Sequence, residues 1–334
     1  MKPVSLIAVA SQMPETIIGS DFFHPIDKPG LMFMRPTTRR HMRRDESAAD
    51  MLARAASKLI DRLNLTPARD IDLLFTNVSV PDAPFTGCGA EIARFLGARP
   101  QWVLDLHNTG CVAFIYMMEL ARHLMQTTGA KSALLCTAQT AAGRIFADPD
   151  LRDKTQSAVP GDGCGVGYVV AGSQSPILSL VHRAYGEYAG DMRLICDDGS
   201  QWWEKHDRPF YLDFSEKKVA QVIIRGNRMV PEMIFEACRE AGIIAREIDL
   251  LVTNQPNPYF LRNWREALEL PQEAHPDTFD KYGNMFGAAI PITLEHAILD
   301  GRLKSGDLLA LGGFAHAGDY AAAAIIRWDS TGFA

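Results

Sequence analysis

Residues 70–77 read DIDLLFTN, and residues 247–254 read EIDLLVTN. The two stretches lie 177 residues apart, about half of the 334-residue chain. Each passes from an acidic residue through an apolar run into Thr-Asn, the pattern of a buried strand that ends at a polar turn. One repeat at half the chain length points to a duplicated fold rather than a short-period solenoid. In the first half Asn77 reads as a strand end. In the second half the same letter, Asn254, falls where chemistry is expected.

Working outward, the first half offers a strand near residues 4–10 and a helix in ESAADMLARAASKLIDRL, where Met51, Leu52, Ala55, Leu59 and Leu63 recur at helical spacing. After DIDLLFTNVSV come a short helix in GCGAEIARFLG, stopped by Gly97, and a strand in WVLDL. A long apolar helix begins near Cys111 and ends at a Gly; strands in KSALLCTAQ and GDGCGVGYVVAG close the half. The second half repeats the order: helix VPEMIFEACREAG, strand EIDLLVTN, helix YFLRNWREALEL, helix GNMFGAAIPITLEHAILDG, then strands GDLLALGGF and AAAAIIRW. Glu119 and Glu295 are 176 apart, a register that pairs Asn108 with Asn284 and Cys111 with Gly287. Strands alternating with helices predict an α/β fold of largely parallel sheets with helices on both faces, and two copies predict five layers. The halves are expected at 1–172 and 173–334. The stretch 186–218, rich in Trp202, Trp203, Phe210, Tyr211 and Phe214, has no counterpart in the first half. It is either a cover over something or a surface excursion with its own small cluster.

The composition is that of an ordinary globular chain, 47% hydrophobic and 22% charged. A net charge of −6 argues against nucleic acid as a partner. Six scattered cysteines form no CxxC and no zinc-site spacing, so no metal is expected. With no secretory signal in MKPVSLIAVASQMPE, they fit a reducing cytoplasm. No stretch approaches the roughly 18–20 apolar residues of a membrane helix. One basic cluster stands out: Arg35, Arg39, Arg40, Arg43 and Arg44. A solvated loop and a phosphate contact are both open readings.

Cys111 precedes a long helix and follows HNTG. Backbone N–H groups and the positive end of the helix dipole favour a thiolate there, the reactive form of cysteine. A small buried hydrophobe is the competing reading.

Taken together, DLHNTGCVAF, GDGCGVG, NQPN, YGNMFGAAIP and the terminal GGF…AAAAIIRW resemble, in order and spacing over nearly the whole chain, the thiolase-fold condensing enzymes of the β-ketoacyl-acyl-carrier-protein synthase III type. The resemblance implies a duplicated, five-layered thiolase-like fold with two mixed, mostly parallel sheets and helices between and outside them. It implies a homodimer. It also implies that no cofactor is permanently bound, with acyl-CoA or a phosphopantetheinyl carrier protein as substrate. Carried onto this chain, Cys111 is the acyl-accepting nucleophile. Its own N–H and one from Gly313–Ala317 form the oxyanion hole, and Asn284 is the amide that holds the extender carbonyl. Phe85 reaches the partner subunit's site, and Arg35, Arg39 and Arg40 fall in the region that contacts CoA phosphates.

The chain departs from the pattern at Asn254, which stands where relatives carry histidine. Asn donates a hydrogen bond but takes no proton, so base chemistry from that position is excluded. His316, in GGFAHAGDY, is the replacement candidate, with Asp319 near enough in sequence to orient it. A histidine that merely caps backbone is the alternative. His107 is a weaker candidate, expected to point off a strand end. Three functions follow. The first is an acyltransferase passing the Cys111 acyl group to a second acceptor in polyketide or fatty-acid-type biosynthesis. The second is a decarboxylative synthase with an Asn-Asn pair, and the third a non-catalytic partner of an active paralogue.

Overall fold

The computed structural model describes residues 2–24, 30–83, 85–107, 109–214 and 216–329, the side chains of Glu216 and Lys217 excepted. Asn108, paired by register with Asn284, lies outside the described residues. The first half runs β1 (Val4–Gln12), the ribbon β2 (Thr16–Gly19) with β3 (Thr38–His41), α1 (Ala48–Arg62), the single turn α2 (Pro67–Asp70), β4 (Leu73–Val78), α3 (Gly89–Leu96) and β5 (Trp102–Asp105). A 3-10 turn, Gly110–Val112, then opens into α4 (Ala113–Thr128), followed by β6 (Ser132–Gln139) and β7 (Gly163–Ala171). The second half runs β8 (Ile177–Ala184), the hairpin β9 (Met192–Ile195) with β10 (Tyr211–Phe214), α5 (Glu216–Ala241), β11 (Leu250–Thr253), α6 (Pro258–Ala267) and α7 (Phe279–Tyr282). A second 3-10 turn, Phe286–Ala288, leads into α8 (Ala289–Leu299), β12 (Leu308–Ala315) and β13 (Tyr320–Arg327).

Local chemistry explains the boundaries. Ser47 caps α1 by accepting the Asp50 N–H, and the face of Met51, Leu52, Ala55, Ala56 and Leu59 is buried. Left-handed glycines Gly97 and Gly129 stop α3 and α4 where the sequence predicts. Every residue of β4 is buried, as expected for a central strand without hydrophobic alternation.

The strand orders display the duplication. One sheet is β1-β7-β6-β4-β5 and the other β8-β13-β12-β11, so the second repeats the first without a fifth strand. The expectation of mostly parallel sheets is corrected. Among the described strands of the two large sheets, β4 pairs in parallel with β5 and β6, and β11 with β12, while β1 with β7, β6 with β7, β12 with β13 and β13 with β8 are antiparallel. The physical reason is the connection. A parallel neighbour needs a crossover helix, whereas β12 turns back into β13 within four residues.

Helices α4 and α8 form the middle of five layers, α4 touching β6 and β7 on one side and β8 and β13 on the other, and α8 touching β1, β7 and β11. Helices α1 and α3 cover the outside of the first sheet, and α5 backed by α6 covers the second. The GCGVG run of β7 makes the middle layer possible. A Cβ at Gly165 would come 2.5 Å from the Pro291 ring of α8, and one at Gly167 2.6 Å from the Phe114 ring of α4. Asp162 of the same motif accepts the N–H groups of Met42, Ala142 and Gly143 at 2.7–2.8 Å, a structural tie between β7, β3 and the segment after β6.

Three readings were incomplete. Strand β8 was not anticipated. Helix α5 starts well before VPEMIFEACREAG and carries Pro231 inside it. The unmatched stretch 186–218 contains the β9–β10 hairpin, fastened to α5 by Asp191, which pairs with Lys218 and with Arg225 at 2.6 Å. Among the described residues no helix is long and apolar enough to cross a membrane.

Two buried histidines give the fold an acid limit. Burial, reinforced by Arg39 and Arg152, holds His41 down to about 4, and burial holds His275, paired with Thr253 Oγ1 at 2.9 Å, down to about 3. In the unfolded chain an imidazole takes its proton near pH 6.5. Below that pH the unfolded state binds more protons, so stability falls as pH drops from about 6.5 toward 4. His41 accounts for on the order of 3 kcal/mol of that fall. His41→Phe, which keeps the ring beside Phe22 and Phe23, is expected to make the decline of the thermal midpoint over this window shallower. Unfolding scans from pH 7 to 4 measure it, and an unchanged slope would contradict the assignment.

Candidate active site

A cavity of about 310 Å3 opens at the carboxyl ends of β4, β6 and β11, where the two halves meet. The ends of parallel strands are where α/β folds place ligands, because the loops there diverge. Cys111, Asn254, Asn284 and His316 all line it, so four residues spread over more than 200 positions converge on one space. Its apolar wall includes Phe33, Ile145, Phe146 and Phe314, together with Met192, Leu194, Leu212 and Phe214 of the hairpin. The 186–218 stretch is thus a cover. Trp202 and Trp203 take no part in it; they pack edge to face and are largely exposed.

Cys111 is the middle residue of its 3-10 turn. Thr109 and Gly110 before it have φ of 69° and 37°, so the chain enters α4 through two left-handed residues. Non-glycine residues adopt that region at a cost, and such strain concentrates at working sites. Among the described residues no side chain caps α4. Its first turn directly follows Gly110 and Cys111, which line the cavity. Burial pushes the Cys111 thiol up to about 12, with Asp319 adding to the rise; opposing it are hydrogen bonds from the backbone N–H of His316, from its own N–H and from the Asn254 side chain. The resting residue is a thiol, ringed by three donors that favour negative charge at the sulfur or at a carbonyl bound there.

Asn254 is buried and clamped at both ends by Phe314. Its Nδ2 donates to the Phe314 carbonyl at 3.3 Å, and its Oδ1 accepts the Phe314 N–H at 3.4 Å. The bracket fixes which end of the amide faces the sulfur: the donor. A Cβ at Gly313 would come 2.6 Å from Oδ1, so glycine is needed there for the clamp to close. Asn284 is held similarly. Its Oδ1 accepts the Phe286 N–H at 3.0 Å, its main chain pairs with Val159 and Gly161, and among the described residues Nδ2 is the group left to offer the cavity.

The duplication reaches into the site. Cys111 and Gly287 are the middle residues of equivalent 3-10 turns, packed so tightly that a Cβ at Gly287 would stand 2.7 Å from the Gly110 carbonyl oxygen and 3.0 Å from Asn77 Oδ1. Asn77 thus faces Gly287 as Asn254 faces Cys111. The reading of Asn77 as a mere strand end is corrected. It is buried, lines the cavity and donates to the Leu106 carbonyl at 2.9 Å. The repeat itself was the signal that could have found it.

His316 sits in the β12–β13 turn with φ of 50°. Its Nδ1 lies 3.0 Å from both oxygens of Asp319, and its Nε2 would be 2.9 Å from a Cβ on Gly110. The imidazole therefore lies beside the turn of Cys111, while the contact of residue 316 to the sulfur itself is made by the main chain. The turn is anchored by Gly318 N–H on the Ala315 carbonyl and by Tyr185 N–H on the Asp319 carbonyl. His107 is exposed but does reach the cavity wall.

The arginine cluster separates. Arg39 is fully buried, its guanidinium donating to the Ala158 carbonyl and lying 4.6 Å from the Phe23 ring centroid, with burial and Arg35 holding it down to about 10. It cannot meet a phosphate outside the fold, and that expectation is corrected. The alternating pattern of β3 turns it inward. Arg35 and Arg40 are half-buried, donating to the carbonyls of His24 and Glu15, and Arg43 pairs with Asp45. Phe85 is fully exposed.

Comparison with known proteins bears on this arrangement. Residues 104–186 match the family model described as 3-oxoacyl-[acyl-carrier-protein (ACP)] synthase III, and residues 238–328 match that of its C-terminal part. The β-ketoacyl-[acyl-carrier-protein] synthase III of Campylobacter jejuni is 30% identical over 321 residues, covering 94% of each chain. That of Clostridium perfringens is 26% identical over 319 residues, 94% of this chain and 96% of its own. Among solved structures, β-ketoacyl-[acyl-carrier-protein] synthase III from Thermus thermophilus is 27% identical with a TM-score of 0.82, over 97% of this chain and 99% of that one. The priming β-ketosynthase of the R1128 polyketide pathway shares the fold at 21% identity, with a TM-score of 0.84 over 98% and 97%.

Proposed function

The chain belongs to the 3-oxoacyl-acyl-carrier-protein synthase III family of acyltransferase-type condensing enzymes, and from that premise we propose that Cys111 takes an acyl group from a CoA or carrier-protein thioester and passes it to a second acceptor. The observation that carries this reading is the sulfur at the head of α4 with the Asn254 amide and the His316 and Cys111 N–H groups around it. In the loading step the sulfur attacks the thioester carbonyl, the C–S bond to the carrier breaks, and the thiol proton leaves with the carrier's sulfur. The donors that surround the sulfur hold the oxyanion of the tetrahedral intermediate. The apolar hairpin wall receives the acyl chain, and Arg35 and Arg40 remain the candidates for a phosphate of the donor. Exposed Phe85 supports a homodimer in which it enters the partner subunit's site.

A second reading has its own support. Asn254 and Asn284 each turn an amide donor toward one cavity, the pair a decarboxylated malonyl thioester needs to stabilise its enolate. The experiment is intact-protein mass spectrometry after incubation with acetyl- and octanoyl-CoA, followed by malonyl-CoA with carbon dioxide measured. We expect a one-acyl mass increase mapped to Cys111 and no carbon dioxide. A β-keto product with stoichiometric carbon dioxide promotes the second reading; no adduct from any donor refutes the first.

A further inference from the structure

We propose that His316 and Asp319 are the general base of the transfer step and that the acceptor is a protic nucleophile, an alcohol or an amine, rather than a malonyl thioester. The inference rests on Cys111 being the acyl carrier. Asp319 approaches Nδ1 symmetrically, both oxygens at 3.0 Å, so Nδ1 carries the proton and the free lone pair is on Nε2. That lone pair lies on the side of Gly110, the residue before the nucleophile, and His316 and Cys111 line the same cavity. The sulfur is already served by main-chain N–H groups and Asn254. The imidazole is thereby left for the incoming molecule. The left-handed His316 and the anchored turn behind it hold the ring in place: Gly318 is backed by Met229 and Arg225 of α5.

The acceptor class follows from what a base is for. In decarboxylative condensation the electron pair that forms the carbon–carbon bond comes from loss of carbon dioxide, no proton is abstracted, and amide donors suffice. An imidazole oriented by a carboxylate, with the sulfur served by other groups, has work where the incoming nucleophile brings an O–H or N–H. As the acceptor oxygen or nitrogen bonds to the acyl carbon, its proton passes to Nε2. The tetrahedral oxyanion is held by the donors around Cys111. It collapses with cleavage of the C–S bond; the departing Cys111 thiolate takes a proton from solvent and the imidazolium releases its own to solvent. An ester or amide and the free Cys111 thiol result, with no redox change. The base is thus moved from the end of β11, where Asn254 cannot serve, to the β12–β13 turn.

The test separates the two half-reactions. Wild type, His316→Gly and Asp319→Asn are first loaded with octanoyl-CoA, and the acyl enzyme is then followed by mass spectrometry in water, with hexanol and with hexylamine. Glycine tolerates the left-handed φ of residue 316 and leaves room for a free imidazole. We expect decay to be slowed more than loading in both variants, since the N–H of residue 316 that faces the sulfur is kept. Decay of the acyl enzyme is expected to be slower by about 10²-fold or more in His316→Gly and restored in part by added imidazole. Asp319→Asn is expected to slow decay likewise while Asp319→Glu recovers it, which a purely structural role for the carboxylate does not require. Equal decay in wild type and His316→Gly with every acceptor overturns the base, as does an equal loss of loading and decay. Carbon dioxide release and a β-keto product from the wild type overturn the acceptor class. Absence of any adduct on wild-type Cys111 is a different failure, that of the loading reading.

Discussion

Replacing Cys111 by alanine is expected to remove the acyl adduct and to lower thioester turnover by at least about 10³-fold. No other described cysteine lines the cavity. Cys88, Cys136 and Cys164 are buried and pushed up by desolvation, and none lines the cavity. The donors around the sulfur come largely from the main chain and survive the substitution, so whatever turnover remains measures polarisation of the thioester without covalent capture. The fold should persist. A small side chain is lost from a turn whose geometry is set by Thr109 and Gly110, at a cost of about 1 kcal/mol. Peptide mapping of the acyl-labelled wild type beside the variant checks this result. An adduct of equal yield in the variant would falsify the assignment of Cys111.

Asn254→Asp is expected to cost about 10²- to 10³-fold in the same reaction at pH 8, through a different physical route. The substitution is nearly isosteric and keeps an acceptor for the Phe314 N–H. It replaces the Nδ2 donor, however, by an oxygen facing the Phe314 carbonyl and the Cys111 sulfur. A carboxylate at a site only 1% exposed, opposite two electron-rich atoms, loses its donor function and raises the energy of any charge developing on the substrate. Protonation restores an O–H donor. The deficit is therefore expected to shrink as pH falls from 8 to 5.5, whereas wild type, whose amide does not titrate, gains nothing from this source. Rates of acyl loading for the two proteins across that range check it. A variant as active as wild type at pH 8 would show that the amide's donor is dispensable.

Much of the architecture was legible because it depends on local rules. Gly97 and Gly129 end helices wherever a left-handed stop is needed, the β4 and β11 runs are apolar without alternation because both faces are covered, and the glycines of β7 are demanded by helices pressing on both ends of its motif. The balance of parallel and antiparallel pairs was not legible. It depends on how each strand returns, and a loop sequence does not state its direction. Arg39 shows the same limit at one residue. In the chain it is one of five similar cations; whether it meets solvent depends on which face β3 turns to Phe23 and Ala158.

The sequence alone determined that the fold is doubled, that Cys111 stands at the head of a long apolar helix, and that Asn254 cannot accept a proton, since each follows from periodicity, position or functional-group chemistry. The tertiary structure alone decided which end of the Asn254 amide faces the sulfur and that Asn77, its partner in the repeat, is buried at the cavity against Gly287. It alone decided that the hairpin of 186–218 walls the cavity and that His316 presents Nε2 beside Gly110 with Asp319 behind it. Those facts rest on orientation between segments distant in sequence, where a hydrogen bond to Phe314, a missing Cβ at Gly287 or a left-handed residue at 316 sets the direction of a side chain that its own letter leaves free.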